Sequence, residues 1–212
     1  MRHLMQRRAH TRPAAPLSAS LNRNGWVWDP ASSADENYMD LAFLLSQSST
    51  ATGRVGCAIV SGVRDGAAKD QGSVIVCGVN SGLYSPLKAD CHAEANAIAE
   101  SAASGWPLRG ATCYVSKPPC NHCFSLLAVS GIARIVSAGP FGAVGSVKQE
   151  LVAQQLGIEC SVVRCTDERR ERRERLSSAV RDWDRVATIR ERKKWLRSQS
   201  AAERVITNLS DS

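Results

Sequence analysis

The chain has 212 residues and a formal net charge of +7, which divides into +5 over residues 1–28, −3 over 29–163 and +5 over 164–212. A mildly acidic middle argues against a folded body that binds nucleic acid, whereas the two basic ends are candidates for contact with an acidic partner. No apolar run approaches the ~20 residues of a membrane span and no secretory leader precedes the eight cysteines, so we expect no membrane partner, and thiols or metal ligands rather than disulfides.

The composition divides the chain into three segments. Residues 1–28 mix Arg, Ala, Pro and Ser without an apolar period, which predicts a disordered basic tail. An Arg-rich, acid-free start is also typical of a transit peptide, so we expect a cytoplasmic protein, with a mitochondrial or other organellar location as the alternative. Residues 29–163 have the size of one domain, and residues 164–212 are expected to form a basic helical extension.

The sequence of the first half of the domain predicts two helices and two strands. A helix is expected over residues 35–48, with Asp35 as its N-cap and apolar residues at helical spacing. Two short apolar runs, Val55–Val60 and Ser73–Val79, predict an antiparallel pair of strands joined by a polar loop. A second helix is expected over residues 92–103.

The second half of the domain predicts strands that alternate with helices. The expected strands are 111–116, 133–138 and 158–163, and the expected helices are 119–130 and 146–156. Strands separated by helices run parallel, because right-handed crossovers connect them. The predicted fold class is therefore α/β, with a mixed five-stranded sheet between helices on both faces.

The C-terminal extension predicts one charged helix, from Asp167 to about Ser198. Its apolar residues at helical spacing are Leu176, Val180, Trp183 and Ala187. We interpret them as a stripe that docks the helix on the body, and a contact with nucleic acid or a partner protein is the alternative.

Two short segments, Cys91–Glu94 and Pro118–Cys123, each open a predicted helix and carry metal-ligating residue types. The ligands they offer are His92, Cys120 and Cys123. One imidazole and two thiolates suit Zn²⁺ with a fourth position open for water, whereas structural zinc sites usually close with four protein ligands. Pro119 suits the first position of its helix. Glu94, two residues after His92, is a candidate proton carrier.

Each segment alone is a weak signal. A Cys-x-x-Cys pair also occurs in redox sites and structural zinc sites, and a His-x-Glu triplet is common on surfaces. Redox use of Cys120 and Cys123 is the main alternative, but it leaves His92 and Glu94 unexplained. His122 lies between the two cysteines and points in a different helical direction, so it is not expected to be a ligand.

The two segments together carry the signature of zinc deaminases, His-x-Glu followed by Pro-Cys-x-x-Cys. From about Asp35 to Val163 the chain resembles the cytidine and deoxycytidylate deaminase superfamily, and within it most closely the deoxycytidylate deaminases. The matching stretches are residues 38–42, 55–60, 78–82, 92–98 and 119–123. The resemblance implies the three-layer α/β/α architecture of that superfamily.

The resemblance also implies an activity. It implies a hydrolase acting on C–N bonds of cyclic amidines, which converts dCMP or a related cytosine nucleotide to dUMP with release of ammonia. It implies one Zn²⁺ per chain, held by His92, Cys120 and Cys123, with Glu94 as the catalytic proton carrier. A small nucleotide is the implied substrate, and the family suggests a homo-oligomer.

Two further residues follow from the resemblance. Asn80 matches a residue that contacts the nucleoside in the family, although a simple turn residue is an equal alternative. The backbone N–H of Ala93 is implied to hold the edge of the base.

The loop between Asn80 and His92 gives a second hypothesis. It is shorter than in many deoxycytidylate deaminases and is similar to that of tRNA adenosine deaminases. With the two basic ends, it suggests a tRNA or RNA deaminase, acting on adenosine or cytidine, whose RNA affinity falls steeply with salt. A third hypothesis, a non-catalytic subunit of a heteromeric deaminase, is disfavoured by the presence of Glu94.

Overall fold

The computed structural model describes residues 25–49, 51–61, 72–84, 88–144 and 147–186. Most of the predicted basic tail and the last part of the predicted C-terminal helix lie outside these ranges. Among the helices in the described ranges, none combines the length and the apolar character that crossing a bilayer requires.

The described residues form five α-helices and seven β-strands. In chain order they are α1 (Ala34–Ser46), β1 (Gly56–Ser61), β2 (Ser73–Val79), α2 (Ala93–Ser104), β3 (Thr112–Val115), α3 (Asn121–Val129), β4 (Arg134–Ser137), β5 (Ala143–Val144), β6 (Val147–Lys148), α4 (Gln149–Gln155), β7 (Glu159–Val162) and α5 (Asp167–Val186).

The main sheet has five strands in the order β2-β1-β3-β4-β7. Strand β1 is antiparallel to both of its neighbours, whereas β3, β4 and β7 are mutually parallel. The predicted mixed five-stranded sheet is therefore confirmed, including the parallel pairing of β4 with β7 across the helix between them. Because β2 and β3 run in the same direction, their C-terminal ends lie at one edge of the sheet.

Helices cover both faces of this sheet, which gives the predicted three layers. Since side chains alternate along a strand, Cys57 and Ile59 of β1 enter the core under α2, α3 and α4. Ala58 and Val60 enter the core under α1 on the opposite face. All four side chains are fully buried.

Two glycines allow helices to lie directly against strands. A Cβ atom at Gly78 of β2 would lie 2.2 Å from the carbonyl oxygen of Ala93 in α2. A Cβ atom at Gly56 of β1 would lie 2.1 Å from the carbonyl oxygen of Ala42 in α1. No side chain larger than hydrogen fits at either contact without movement of the helix.

The N-cap predicted for α1 is wrong by two residues. Ser33 caps the helix, because its hydroxyl accepts the Glu36 N–H (3.3 Å) and its own N–H donates to the Glu36 carboxylate (2.9 Å). This reciprocal pair is a capping box. Asp35 lies inside the helix and accepts hydrogen bonds from Tyr114 of β3 and Arg134 of β4.

The helix predicted over residues 146–156 is shorter than expected and follows a hairpin. Val144 of β5 pairs with Val147 of β6. The backbone N–H of Gln149 then donates to the carbonyl oxygen of Gly142 (3.0 Å), so the chain doubles back before α4 begins. The two β-branched residues favour this extended pairing over a longer helix.

The folded body begins before residue 29. Trp26 stacks on Tyr38 with ring centroids 6.0 Å apart, and Trp28 meets the same ring edge-on at 5.5 Å. The indole N–H of Trp26 also donates to the carbonyl oxygen of Asn37 (2.9 Å). These aromatic contacts attach Trp26 and Trp28, which lie within the predicted tail of residues 1–28, to helix α1.

In its described part, helix α5 packs along α1 with a polar face, and the docking role predicted for the apolar stripe stays a prediction. Leu176 is only half-buried, and the side chains of Val180, Trp183 and Ala187 lie outside the described residues. Among the side chains of this helix that the structure describes, the buried ones are Arg169, Arg173 and Ser177.

The partner of these arginines is Asp40 of α1, whose exposed fraction is 1%. Arg169 and Arg172 reach one of its carboxylate oxygens at 2.5 and 2.7 Å, and Arg173 reaches the other at 2.8 Å. We call Asp40 and these three arginines the Asp40 cluster. It attaches the C-terminal helix to the domain by charge-assisted hydrogen bonds.

Candidate metal and catalytic site

The two motif segments meet at the edge of the sheet where β2 and β3 end. His92 is the N-cap of α2, and Cys120 is the N-cap of α3. Pro119 thus precedes the cap instead of occupying the first helical position. Cys123 lies in the first turn of α3. Helix α2 begins one residue later than predicted and α3 two residues later. The spacing of the motif residues places their side chains on facing helix ends.

His92 and Cys120 occupy positions where Ser, Thr, Asp or Asn normally accept a helix N–H. Neither side chain makes such a capping hydrogen bond, although both residues have the extended backbone of an N-cap. Their side chains are therefore available to each other. The partial positive charge of two helix N-termini favours anionic thiolates at this place.

The ligand atoms of the three residues converge. His92 Nδ1 lies 3.5 Å from Cys120 Sγ and 3.4 Å from Cys123 Sγ. All three atoms lie within 4.8 Å of one another, and no second such group occurs among the described residues. Tetrahedral zinc bonds of ~2.0 Å to nitrogen and ~2.3 Å to sulfur separate those two donors by about 3.5 Å. The donor set and its spacing fit Zn²⁺.

Glu94 lies beside this group, on α2, with an exposed fraction of 3%. Burial raises the pKa of its carboxyl group, while its hydrogen bonds and the charge of His92 act in the opposite direction. Burial and the Glu94 charge likewise raise the pKa of the Cys123 thiol. A cation between these groups would oppose both shifts.

One side of the group is open to solvent. His92 and Cys120 are exposed, whereas Cys123 and Glu94 are buried. A small molecule can approach the exposed side while the carboxylate of Glu94 lies in a drier environment. A buried acid beside an exposed group of metal-ligating side chains is placed where it could transfer protons to a molecule that approaches from solvent.

Asn80 is buried and supports the loop before β1. Its side-chain oxygen accepts the N–H of Val55 (2.7 Å), and its amide nitrogen donates to the carbonyl oxygen of Gly53 (3.4 Å). The next residue, Ser81, exchanges two backbone hydrogen bonds of 2.9 Å with Cys91. Asn80 is therefore on the chain segment that runs beside His92, and its side chain is engaged in the loop.

Ala93 is the first residue of α2 and is fully buried. As the first helical residue, it has no acceptor for its N–H within the helix. His122 is exposed on α3 and is not part of the group. Cys57 and Cys113 lie with their sulfur atoms 3.5 Å apart in the core, away from solvent.

Sequence reasoning missed Gln149. Its side chain is 4% exposed and contacts the segment that carries Cys120. The amide nitrogen donates to the carbonyl oxygen of Pro119 (3.2 Å) and to the side-chain oxygen of Asn121 (2.9 Å). A glutamine within the helix predicted over residues 146–156 gives no signal of burial, because the contact joins residues about thirty positions apart.

Comparison with known proteins gives a family. Residues 32–138 match the sequence profile of the cytidine and deoxycytidylate deaminase zinc-binding region. Deoxycytidylate deaminases of enterobacteria phages T2 and T4 are each 45% identical to this chain over 49 residues, which is 23% of the chain. The chain spans about a quarter of the length of these relatives.

Solved structures with a similar arrangement include dCMP deaminase from cyanophage S-TIM5. Its apo form is 26% identical, with a TM-score of 0.48, and the match covers 61% of this chain and 96% of that one. A bifunctional diaminohydroxyphosphoribosylaminopyrimidine deaminase and reductase from Thermotoga maritima is 25% identical at the same TM-score, over 70% of this chain and 38% of its own.

Proposed function

The chain belongs to the cytidine and deoxycytidylate deaminase family, and we propose that it is a zinc-dependent hydrolytic deaminase that converts dCMP, or a related cytosine nucleotide, to the uracil form. The observation that carries this proposal is the convergence of one imidazole and two thiols beside the buried Glu94. A redox use of Cys120 and Cys123 would account for neither His92 nor Glu94.

In this proposal His92, Cys120 and Cys123 hold one Zn²⁺ per chain. When bound, Zn²⁺ supplies Lewis-acid chemistry that lowers the pKa of water towards ~7. The three residues contribute a nitrogen and two sulfur donors from the N-terminal ends of two helices. Three protein ligands would leave a fourth position for water, as in catalytic rather than structural zinc sites.

Glu94 is the proposed proton carrier. Hydrolytic deamination replaces the amino group on C4 of the ring with oxygen from water and releases ammonia. The carboxylate of Glu94 accepts one proton from the attacking water and delivers it to ring nitrogen N3. It then accepts the second proton from the hydroxyl newly bound to C4 and delivers it to the departing amino group, as the C4–N bond breaks and the C4 carbonyl forms. Its burial beside the ligand group keeps the carboxyl away from bulk water, where it can exchange protons with a bound substrate.

The preference for dCMP is proposed from the two phage relatives, which are named deoxycytidylate deaminases. The backbone N–H of Ala93 is proposed to hold the base edge, because it starts helix α2 immediately after His92. Asn80 is proposed to contribute indirectly, through the loop of Gly53 and Val55 that its amide holds.

The test is a substrate panel with zinc-loaded and metal-depleted protein. The panel contains dCMP, CMP, deoxycytidine, cytidine and tRNA, and ammonia release is measured at equal protein concentration. We expect turnover of dCMP that disappears on chelation and returns with zinc. No turnover of any cytosine nucleotide by the zinc-loaded protein would overturn the proposal.

The tRNA arm of the panel addresses the alternative, an RNA deaminase that binds through its basic ends. Three of the basic residues of the C-terminal segment, Arg169, Arg172 and Arg173, are engaged with Asp40. They are therefore not available to phosphate groups in this conformation. Deamination of tRNA without deamination of dCMP, with a steep loss of binding as salt rises, would favour the alternative.

A further inference from the structure

Gln149 has every hydrogen-bonding group of its side-chain amide engaged. The amide nitrogen donates to Pro119 and Asn121, and the amide oxygen accepts the backbone N–H of Gly142 (3.1 Å). Its backbone N–H donates to the carbonyl oxygen of the same glycine. One residue of α4 thus joins the start of α3 to the loop after β4.

The orientation of this amide is fixed by chemistry. The Gly142 N–H can only donate and the Pro119 carbonyl can only accept, so the amide of Gln149 has its oxygen towards the first and its nitrogen towards the second. With an exposed fraction of 4%, the side chain has little water to replace a lost partner. Each of its three bonds is therefore costly to remove.

The two acceptors on the α3 side flank a proposed zinc ligand. Pro119 immediately precedes Cys120, and Asn121 immediately follows it. Cys120 itself is exposed, and its sulfur contacts His92 and Cys123. The residues on both sides of this cysteine, Pro119 through its backbone carbonyl and Asn121 through its side chain, are thus held by one buried amide from a different helix.

We propose that Gln149 is a positioning residue, which fixes the backbone around Cys120 and so holds its thiolate at bonding distance from the metal. The inference rests on the proposed zinc site. It assigns to α4 a role that the ligand motif does not contain: the affinity and geometry of the metal depend on a residue about thirty positions downstream of the Cys-x-x-Cys pair.

The alternative is that Gln149 contributes to stability alone. In that case its replacement would lower the melting temperature of the metal-free protein and leave the metal site of the folded protein unchanged. A positioning role predicts a change in the site itself. The two roles are separated by properties of the bound metal and not by activity.

The experiment uses Gln149→Met, which removes all three amide bonds at similar volume, and Gln149→Glu. The carboxylate of the second variant still accepts the Gly142 N–H, but it cannot donate to Pro119. Gln154→Met, at an exposed position of the same helix, is the matched control. Zinc affinity is measured by competition with a chromophoric chelator, and the Co²⁺-substituted proteins are compared by absorption spectroscopy.

We expect both Gln149 variants to bind zinc about 10-fold or more weakly, the range seen when outer partners of metal ligands are lost. Their Co²⁺ bands should shift in position or intensity, and the control should match the wild type. Zinc affinity and Co²⁺ spectra equal to the wild type in folded Gln149 variants would overturn the proposal. If neither variant folds, Asn121→Ala, which removes one of the bonds at an exposed residue, is measured in their place under the same criteria.

The outcome is independent of the substrate. If the wild type binds zinc through the three ligands but deaminates nothing, the proposed function fails and the positioning role is still decided by the spectra. If the wild type deaminates dCMP and the Gln149 variants bind zinc normally, the positioning role alone fails.

Discussion

Two polar clusters lie on opposite faces of the sheet, and they differ in how their groups are satisfied. In the Asp40 cluster, both oxygens of a buried carboxylate accept hydrogen bonds from arginines of α5. In the candidate metal site, an imidazole and two thiols converge on one another at 3.4–3.5 Å. In the first cluster the charge of Asp40 is balanced by arginines of the same chain. In the second, the nitrogen and sulfur atoms are donors that a cation would bind.

The comparison separates a structural role from a functional one. Removal of one partner of a buried ion pair destabilises the folded protein, because the other charge stays buried without compensation. Without its metal, the ligand side chains of a metal site only contact or repel each other. The chemistry of such a site depends on the metal that it binds. We therefore expect variants of the first cluster to change stability and variants of the second to change metal binding and activity.

The largest effect is expected for Cys123→Ala. Removal of this buried sulfur leaves two protein ligands, so we expect loss of stoichiometric zinc and loss of detectable dCMP deamination. Zinc content by mass spectrometry of the metal and ammonia release are the measurements. Cys91→Ala, which replaces the cysteine next to His92, is the control and should retain zinc. Zinc bound normally by Cys123→Ala would contradict the assigned ligand set.

The next effect is expected for Asp40→Asn. The neutral side chain leaves three arginines of α5 without their shared carboxylate, so the free energy of unfolding should fall by about 3–5 kcal/mol. Denaturant unfolding measures this change. Zinc affinity of the folded protein should stay at the wild-type value.

Asp167→Asn is the matched control for that prediction. Asp167 pairs with Arg170 on the exposed side of α5, the helix that carries the three arginines of the Asp40 cluster. An exposed pair of this kind contributes less than about 1 kcal/mol. Equal destabilisation by the two substitutions would mean that the Asp40 cluster has no special place in the fold.

The smallest of these effects on stability is expected for substitutions of Gly78 and Gly56. Their effects on zinc binding should differ, because the two glycines contact helices on opposite faces of the sheet. Gly78→Ala and Gly56→Ala should each destabilise the protein by about 1–3 kcal/mol, because each forces a helix away from its strand. Gly78→Ala displaces the start of α2, so it should also weaken zinc binding. Gly56→Ala displaces α1 and should leave zinc affinity unchanged. Equal zinc affinities in the two variants would show that the position of α2 does not control the site.

Much of the fold follows from local sequence patterns. Strand β2 was predicted at its observed bounds, and the alternation of strands with helices gave the parallel half of the sheet. The hairpin of β5 and β6 was missed, because two-residue strands have no period to detect. The caps of α2 and α3 were displaced because His92 and Cys120 are not residues that normally cap helices.

Long-range polar contacts could not be predicted in the same way. Helix α5 packs on the domain through Arg169 and Arg173. From the sequence alone these side chains are expected to be exposed, because arginine usually is. Glutamine is also usually exposed, so the burial of Gln149 could not be predicted from the sequence either. The motif brings His92, Cys120 and Cys123 to attention through short spacing alone, and the structure places their ligand atoms together. That they hold zinc stays a prediction.

The most direct test of the central claim compares Glu94→Gln with Glu100→Gln at equal zinc content. Both glutamates lie on α2, but Glu94 is buried beside the ligands and Glu100 is exposed. We predict that Glu94→Gln retains zinc and deaminates dCMP about 10²–10⁴-fold more slowly, since it cannot carry the proton, while Glu100→Gln matches the wild type. A zinc-loaded Glu94→Gln protein that deaminates dCMP at the wild-type rate would contradict the account.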